Sequence, residues 1–440
     1  MPLKDAAMII LDNALQQREQ EGRPICVGVL GAGWMARGVL HQLLTPIKGI
    51  RLVAVSNRSR QRLHDLLDEA QAPSATETSS TKALEEAIRR GHLAIADDPI
   101  QLCEAGNIDV LVDCTGQPEF GARFAVAAIG HGKHLVLVNA ELDATVGPIL
   151  KHRADKAGVV VTNVDGDEPA VAMNLMRFVE MVGYQPVAAG NIKGMIDRYR
   201  TPDTQQAFAD SVNQGAKMIT SFADGTKLSM ETCVLANAAG FGVAKRGMYG
   251  HSCSHVMDLP ALLADQADVL LERGIVDYVV GAKPGNGAFV VAYNDRPVKR
   301  EYMRYLKMGD GPLYVFYRPF HLPHLEVAAT IGRAALFGDA AVAPAGRPMC
   351  EVITVAKRDL RRGQTLDGIG GFDTFGVIEN APSSGQEGLL PMGLSAGCVL
   401  RRDVARDEAI AIADVDTPEG RLCHKLYTEQ NKHFSPAATI

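Results

Sequence analysis

No Cys-x-x-Cys pair occurs among the eight cysteines of this 440-residue chain. Zinc ribbons and thioredoxin-like redox motifs need such pairs and are excluded. Cys253 has His251 and His255 beside it, but no second cysteine pair completes a zinc pattern. Reduced, mostly buried thiols in a cytosolic compartment are expected. No apolar run reaches the roughly 20 residues that span a bilayer. The first residues read as an amphipathic helix, Asp5 to Glu21, without the basic start and apolar core of a signal peptide, so a cytoplasmic protein is expected. Basic residues form nothing longer than short clusters such as Arg361-Arg362. A net charge of −6 argues against nucleic-acid or anionic-membrane partners. What is present is ordinary globular material, 47% hydrophobic and 22% charged, in a chain long enough for two or three domains.

The chain is organised around Pro24 to Leu40. An apolar run (Ile25, Val27, Val29, Leu30) ends in Gly31-Ala32-Gly33, and a helical pattern starts at once. This is the strand–turn–helix pattern of a dinucleotide-binding unit. Gly31 permits the tight turn, Gly33 lets a pyrophosphate approach the backbone, and small Ala36 lets the helix pack closely on the strand. The anion would sit at the helix N-terminus, making Gly31, Gly33, Trp34 and Met35 the cofactor candidates of this turn. A second strand, Arg51 to Ser56, ends in Asn57-Arg58-Ser59-Arg60. An NAD site places a carboxylate there for the ribose hydroxyls, whereas arginine suits a 2′-phosphate. With no carboxylate and two arginines, Asn57 and Arg58 point to NADP.

A polar helix near Arg60–Glu69, a Ser/Thr-rich loop over Ser74–Thr81, a helix over Ala83–Arg90 and a short strand Leu93–Ala96 follow. Two more apolar strands, Ile108 to Cys114 and His134 to Asn139, flank a helix over Phe120–Ile129. Their exits carry Thr115-Gly116 and Asn139-Ala140-Glu141. Ligands in such folds lie at the carboxyl ends of strands, so Thr115, Gly116, Asn139 and Glu141 join the cofactor candidates. The alternation of strands and helices predicts a doubly wound parallel sheet.

From Val164 the texture changes. Asp165-Gly166-Asp167-Glu168-Pro169 places three carboxylates before an apolar helix, Ala170–Met181. Capping explains one of them, not three. A strand over Val187–Ile192 leads to Lys193, Arg198 and Arg200, a candidate anion clamp, since Arg binds phosphate bidentately. A helix over Asp224–Ala239 carries Lys227 and Glu231 at i,i+4 spacing, which fits a surface ion pair or, facing the acids, a proton donor and a metal ligand. Gly281–Gly287 and the turn-rich Gly309–His324 read as loops; the histidine–proline neighbours of the latter hint at a loop near the active site, with structural histidines the stronger expectation. A helix over Leu325–Leu336 is expected to pack on the first domain. The tail from Val342 reads as a small β module. The expected segments are a cofactor domain over 1–163, a catalytic domain over 164–341 and the tail over 342–440.

The first domain, the Ala189–Thr204 stretch and the helix with Lys227 resemble homoserine dehydrogenases at a distance. That family follows its strand-end Asn with Lys, where Asn139 here leads to Ala140-Glu141. Its catalytic Asp and Lys stand four apart, where Asp224 and Lys227 stand three apart. Its Asn-Gly-Thr loop is absent, and Lys193 and Gly194 occupy that neighbourhood. Taken whole, with a tail resembling SAF domains, the chain is more similar to the deoxyxylulose-phosphate reductoisomerase-like (DRL) oxidoreductases. That resemblance implies a Rossmann-like sheet, a central α+β catalytic and dimerisation domain, a β-rich C-terminal domain and a homodimer. It implies conversion of deoxyxylulose 5-phosphate, a small phosphorylated sugar, to methylerythritol 4-phosphate in isoprenoid synthesis, with NADPH and Mg²⁺ or Mn²⁺. Asp165, Asp167, Glu168 and Glu231 would hold the cation. Lys193, Arg198 and Arg200 would neutralise the phosphate. Lys227, with Asp224 and Lys193, would serve catalysis. The alternative is an NADP-dependent dehydrogenase of a small hydroxy or keto acid, with hydride transfer and no rearrangement. A catalytically silent cofactor-binding regulator would have dispersed its downstream polar clusters, which stand together here.

Overall fold

The structure, a computed structural model, describes residues 10–435. The expected N-terminal helix runs over Ile10–Gln20, and residues 5–9 of the expected span lie outside the described residues. Contacts divide the chain into two compact units. The first comprises the described residues up to Asn139, with Leu150–Gly166 and Leu322–Ala341. The second comprises Ala140–Ile149, Asp167–His321 and the described residues from Val342 onward.

The first unit is built on seven parallel strands. They are β1 (Ile25–Leu30), β2 (Ile50–Ser56), β3 (Ala75–Thr78), β4 (Leu93–Ala96), β5 (Val110–Asp113), β6 (His134–Leu137) and β7 (Val161–Asn163). Their order is β3-β4-β2-β1-β5-β6-β7, which is the doubly wound, Rossmann-like arrangement. The chain leaves β1 toward one edge and returns to pair β5 on its other side, so the switch point lies at the β1 and β5 carboxyl ends. Strands β4 and β5 are buried at every position, as strands covered on both faces must be. Ile25, Val27 and Val29 of β1 and Val110 and Val112 of β5 join Ala36 and Val39 of the helix Trp34–Leu44 in one core. Val327 and Ile331 of the helix Pro323–Phe337 belong to it too. A Cβ on Gly38 would stand 2.9 Å from the His324 Cβ, so glycine lets these two helices close together.

The expected loop over Ser74–Thr81 contains β3. This strand pairs with β4 alone, at the sheet edge, and two of its four residues, Thr76 and Glu77, are exposed and polar. It lacks the apolar alternation by which a half-buried strand is read.

In the second unit a five-stranded sheet has the order β12-β11-β8-β10-β9. Its strands are β8 (Gln185–Lys193), β9 (His251–Ser252), β10 (Ile275–Val280), β11 (Ala288–Tyr293) and β12 (Leu313–Arg318). Strands β8, β10 and β9 run parallel, whereas β11 is antiparallel to both its neighbours. Thus Gly281–Gly287 is the connection between two strands, and the turn-rich Gly309–His324 stretch contains β12. The tail supplies two antiparallel pairs, β13 (Cys350–Ala356) with β14 (Thr374–Asn380), and β15 (Val399–Leu400) with β16 (Val415–Asp416).

The helix Thr226–Ala239 packs on β10 on one side and on β13 and β14 on another. It is accordingly buried around nearly its whole circumference. All eight cysteines are free thiols. No helix among the described residues is long and apolar enough to cross a membrane.

Candidate active site

In the first unit the turn after β1 has the expected geometry. Gly31 adopts φ +117°, and a Cβ there would approach the Cys114 carbonyl oxygen to 3.2 Å. Gly33 is the N-cap of the helix Trp34–Leu44 and supplies no capping side chain, and a Cβ on it would point into open space. Backbone N–H groups at this end therefore suit an anion. Trp34 is exposed, edge-on to His324 at 6.3 Å, and Met35 is half-buried.

At the β2 exit Asn57 donates to the Ser59 carbonyl at 2.8 Å. Arg60 is held by Glu77 and Asp97. Arg58 is exposed, and no hydrogen bond or ion pair engages it among the described residues. At the β5 exit Thr115 donates to the buried Asp113 carboxylate through both its N–H and its hydroxyl. Asn139 donates to the other oxygen of Asp113 at 2.9 Å. Thr115 and Asn139 thereby shape this exit loop, while Gly116 takes φ +61°.

The acids of Asp165–Glu168 part company. Asp165 belongs to the first unit, where Arg333 meets it at 2.9 Å and its N–H donates to Thr330. Asp167 and Glu168 open the helix Glu168–Met181 in the second unit. Asp167 is the N-cap, yet its side chain makes no capping hydrogen bond. One oxygen each from Asp167, Glu168 and Glu231 lie within 4.8 Å of one another.

Two lysines enter this cluster. Lys193, at the end of β8, stands 2.5 Å from Glu168 and 3.3 Å from Glu231. Lys227 points to Glu141 at 3.0 Å, not to its i,i+4 neighbour Glu231. Glu141 was expected to touch cofactor, and the structure sets it on this lysine, in the first turn of a helix that loses helical geometry at Val146. Asn191, buried in β8, donates to Glu231 at 3.0 Å. His321, on the loop after β12, lies 3.5 Å from Glu168.

Were every group ionised, the charges would not balance. Four carboxyl groups (Glu141, Asp167, Glu168, Glu231) face two ammonium groups (Lys193, Lys227), a surplus of two acids. Burial pushes the Asp167 carboxyl up to about 7, with the nearby Glu168 and Glu141 adding to the rise. Burial and the neighbouring Glu168 and Asp167 likewise push Glu231 up to about 8. At Glu168 burial works the same way, but Lys193 and His321 outweigh it and hold the group at about 2. Burial also opposes the charge on both lysines. Glu168 and Glu231 overcome it at Lys193, and Glu141, Glu231 and Asp167 at Lys227, so both stay protonated above the usual range.

Glu141 Oε2, Asn191 Oδ1 and His321 Nδ1 are buried without a hydrogen-bond partner. Unpaired acceptors beside surplus acids suit a divalent cation with hard oxygen ligands, or the hydroxyls of a substrate. The residues present therefore fit Mg²⁺ or Mn²⁺.

The other expected site residues have different partners. Arg200 pairs with Asp197 at 2.9 Å. Arg198 lies over the Phe375 ring and lines a small cavity with Asp224, Ser229 and Tyr278. Lys193, Arg198 and Arg200 thus share no partner. Asp224 is tied to Lys357 at 2.8 Å and accepts from the Thr226 N–H. Asn191 and Lys357 were not singled out in the sequence, and His321 was read with its neighbours as structural, although their stretch hinted at an active-site loop. An Asn inside the apolar run Val187–Ile192 was a signal for the first, whereas the Asp224–Lys357 pair spans a separation in sequence that no local pattern reveals.

Comparison with known proteins bears on both units. Residues 166–327 match the family model described as the catalytic domain of the oxidoreductase DRL. Residues 31–162 match the NAD binding domain of homoserine dehydrogenase. No curated protein matches the sequence. Among solved structures, a probable dehydrogenase from Thermotoga maritima is 13% identical, over 73% of this chain and 91% of that one, with a TM-score of 0.43. The deoxyxylulose-phosphate reductoisomerase of Zymomonas mobilis in complex with NADPH is 18% identical, over 47% of this chain and 58% of that one, with a TM-score of 0.31. A reductoisomerase in complex with NADPH, fosmidomycin and magnesium is 18% identical over 48% and 58%, with a TM-score of 0.32. Likenesses this distant do not reach the chemistry of the site.

Proposed function

We propose that this NAD(P)-binding oxidoreductase uses NADPH and a divalent cation to convert deoxyxylulose 5-phosphate to methylerythritol 4-phosphate. The observation that carries the reading is the surplus of two carboxyls in a cluster that already contains two lysines. Asp167, Glu168 and Glu231 would hold the cation, and Asn191 Oδ1 offers one more oxygen. When bound, the cation would supply Lewis-acid polarisation of a substrate carbonyl. The nicotinamide supplies the hydride. Arg58, exposed at the β2 exit, supports a 2′-phosphate and so NADP over NAD.

The chain's own residues do the rest. Lys227, kept protonated by Glu141, stabilises an alkoxide that develops on the substrate or gives it a proton. Glu141 accepts from the same ammonium at 3.0 Å and so orients it. Glu141 Oε2, without a partner, can accept from a substrate hydroxyl. Burial of the cluster excludes water from these contacts and strengthens each of them.

One observation favours a second reading, an NADP-dependent dehydrogenase of a small hydroxy or keto acid. Two of the three cations assigned to the phosphate are already neutralised, Lys193 by Glu168 and Glu231, and Arg200 by Asp197. Product analysis by NMR separates the two. Deoxyxylulose 5-phosphate with NADPH and Mn²⁺ should give the branched methylerythritol phosphate. Oxidation of hydroxy acids with NADP⁺, with the sugar phosphate left unchanged, would establish the second reading instead.

A further inference from the structure

The helix Thr226–Ala239 carries Lys227 and Glu231, and residues on either side of Lys227 are fastened by the C-terminal β module. Lys357, directly after β13, is buried with its Nζ 2.8 Å from Asp224. The same ammonium donates to the Arg200 and Gly371 carbonyls at 2.7 and 2.8 Å. Asp224 in turn accepts from the Thr226 N–H at 2.8 Å. From β14, the Gly376 N–H donates to the Thr226 hydroxyl at 2.8 Å, and the Gly376 carbonyl accepts from Ser229 at 3.1 Å. Gly376 has to be glycine for this approach, because a Cβ would stand 2.8 Å from Val352 Cγ1 and 3.0 Å from Thr226 Cγ2.

These contacts surround Lys227 in the chain but do not involve it. Thr226 and Ser229 face the tail, whereas Lys227 and Glu231 face Glu141, Glu168 and Lys193. A buried ion pair whose ammonium also donates to two carbonyls is a poor source of net stability compared with apolar packing. It does hold one geometry against all others. An axial slip or rotation of this helix would part Lys227 from Glu141 and Glu231 from Lys193 together.

We propose that the C-terminal β module is a positioning element for catalysis, with Lys357, Asp224 and Gly376 setting the register of the helix that bears Lys227 and Glu231. On this account Asp224 is a positioning residue that never touches substrate. The proposal rests on the reading of Lys227 and Glu231 as active-site groups.

Reductive methylation of the full chain followed by peptide mass spectrometry tests it without cofactor, cation or substrate. In the wild type, Lys227, Lys193 and the buried Lys133 of the first unit should all resist modification. Lys357→Met leaves Asp224 charged and unpaired and risks unfolding, so it is combined with Asp224→Asn, which keeps the acceptor for Thr226. Gly376→Ala is the independent variant. In both, Lys227 methylation should rise about fivefold or more through local release of the helix, while Lys133 stays protected and NADPH binding is unchanged. Lys227 remaining protected in both variants would overturn the proposal. So would loss of protection at all three lysines together, which is the outcome of a merely structural role. A failure of the proposed reaction would show separately, as wild-type protein inactive with deoxyxylulose 5-phosphate while the labelling pattern holds.

Discussion

Cation binding by the acid cluster should be linked to the release of two protons. Without a cation, Glu168 is ionised, whereas Asp167 and Glu231 hold their protons up to about pH 7 and 8. A divalent ion must displace both. The logarithm of its affinity should then rise by two per pH unit below about 7, by one between 7 and 8, and level off above. Between about pH 6 and 8.5 this amounts to roughly a thousandfold. Mn²⁺ binding followed by electron paramagnetic resonance gives the affinity at each pH. Calorimetry in buffers of different ionisation enthalpy counts the protons directly. Glu231→Gln should weaken binding and lower the count from two to one. Affinity that does not vary over this range, or a count of zero with Mn²⁺ bound, would refute the reasoning, because the surplus acids would then not be its ligands.

Other outcomes follow from the same contacts. Lys193→Met removes an ammonium 2.5 Å from Glu168 and should tighten Mn²⁺ binding at least about tenfold while lowering turnover. The raised groups Asp167 and Glu231 contribute stability that is complete below the ordinary carboxylate range and lost as pH rises through about 7 and 8. The melting temperature without metal should therefore fall across that window, and Mn²⁺ should restore it. Arg58→Ala should raise KM for NADPH roughly tenfold or more and leave NADH unaffected, the loss expected for one charge-assisted contact to phosphate. Gly31→Ala forces a side chain into φ +117° against the Cys114 carbonyl and should cost about 1–3 kcal/mol by denaturant titration, with loss of cofactor binding.

Much of the first unit was legible in the sequence because its signals are local. A covered parallel strand reads as an apolar run, and Gly31 and Gly33 mark where β1 turns into its helix. The expected spans over Arg60–Glu69 and Leu93–Ala96 coincide with the observed helix and strand. Among the strands that escaped were β3, whose edge position leaves it polar, and β12, hidden among turn residues and aromatics.

At the site, the residue types were legible and their grouping was not. Asp165 and Asp167 stand two apart in the chain but fall in different units, one meeting Arg333 and the other the acid cluster. Lys193 looked like a phosphate ligand because its carboxylate partners, Glu168 and Glu231, lie 25 and 38 residues away. Glu141 stood at a strand exit and pointed to cofactor until the fold placed it on Lys227. Such pairings are decided by tertiary contacts, on which local patterning is silent.

The most direct test of the account is NADPH oxidation with deoxyxylulose 5-phosphate after removal of metal with a chelator, followed by return of Mn²⁺. The account predicts no turnover in the stripped protein, with NADPH still bound, and recovery of both oxidation and branched product on adding the ion. Full turnover in the stripped protein would contradict it, as would oxidation that Mn²⁺ leaves unchanged.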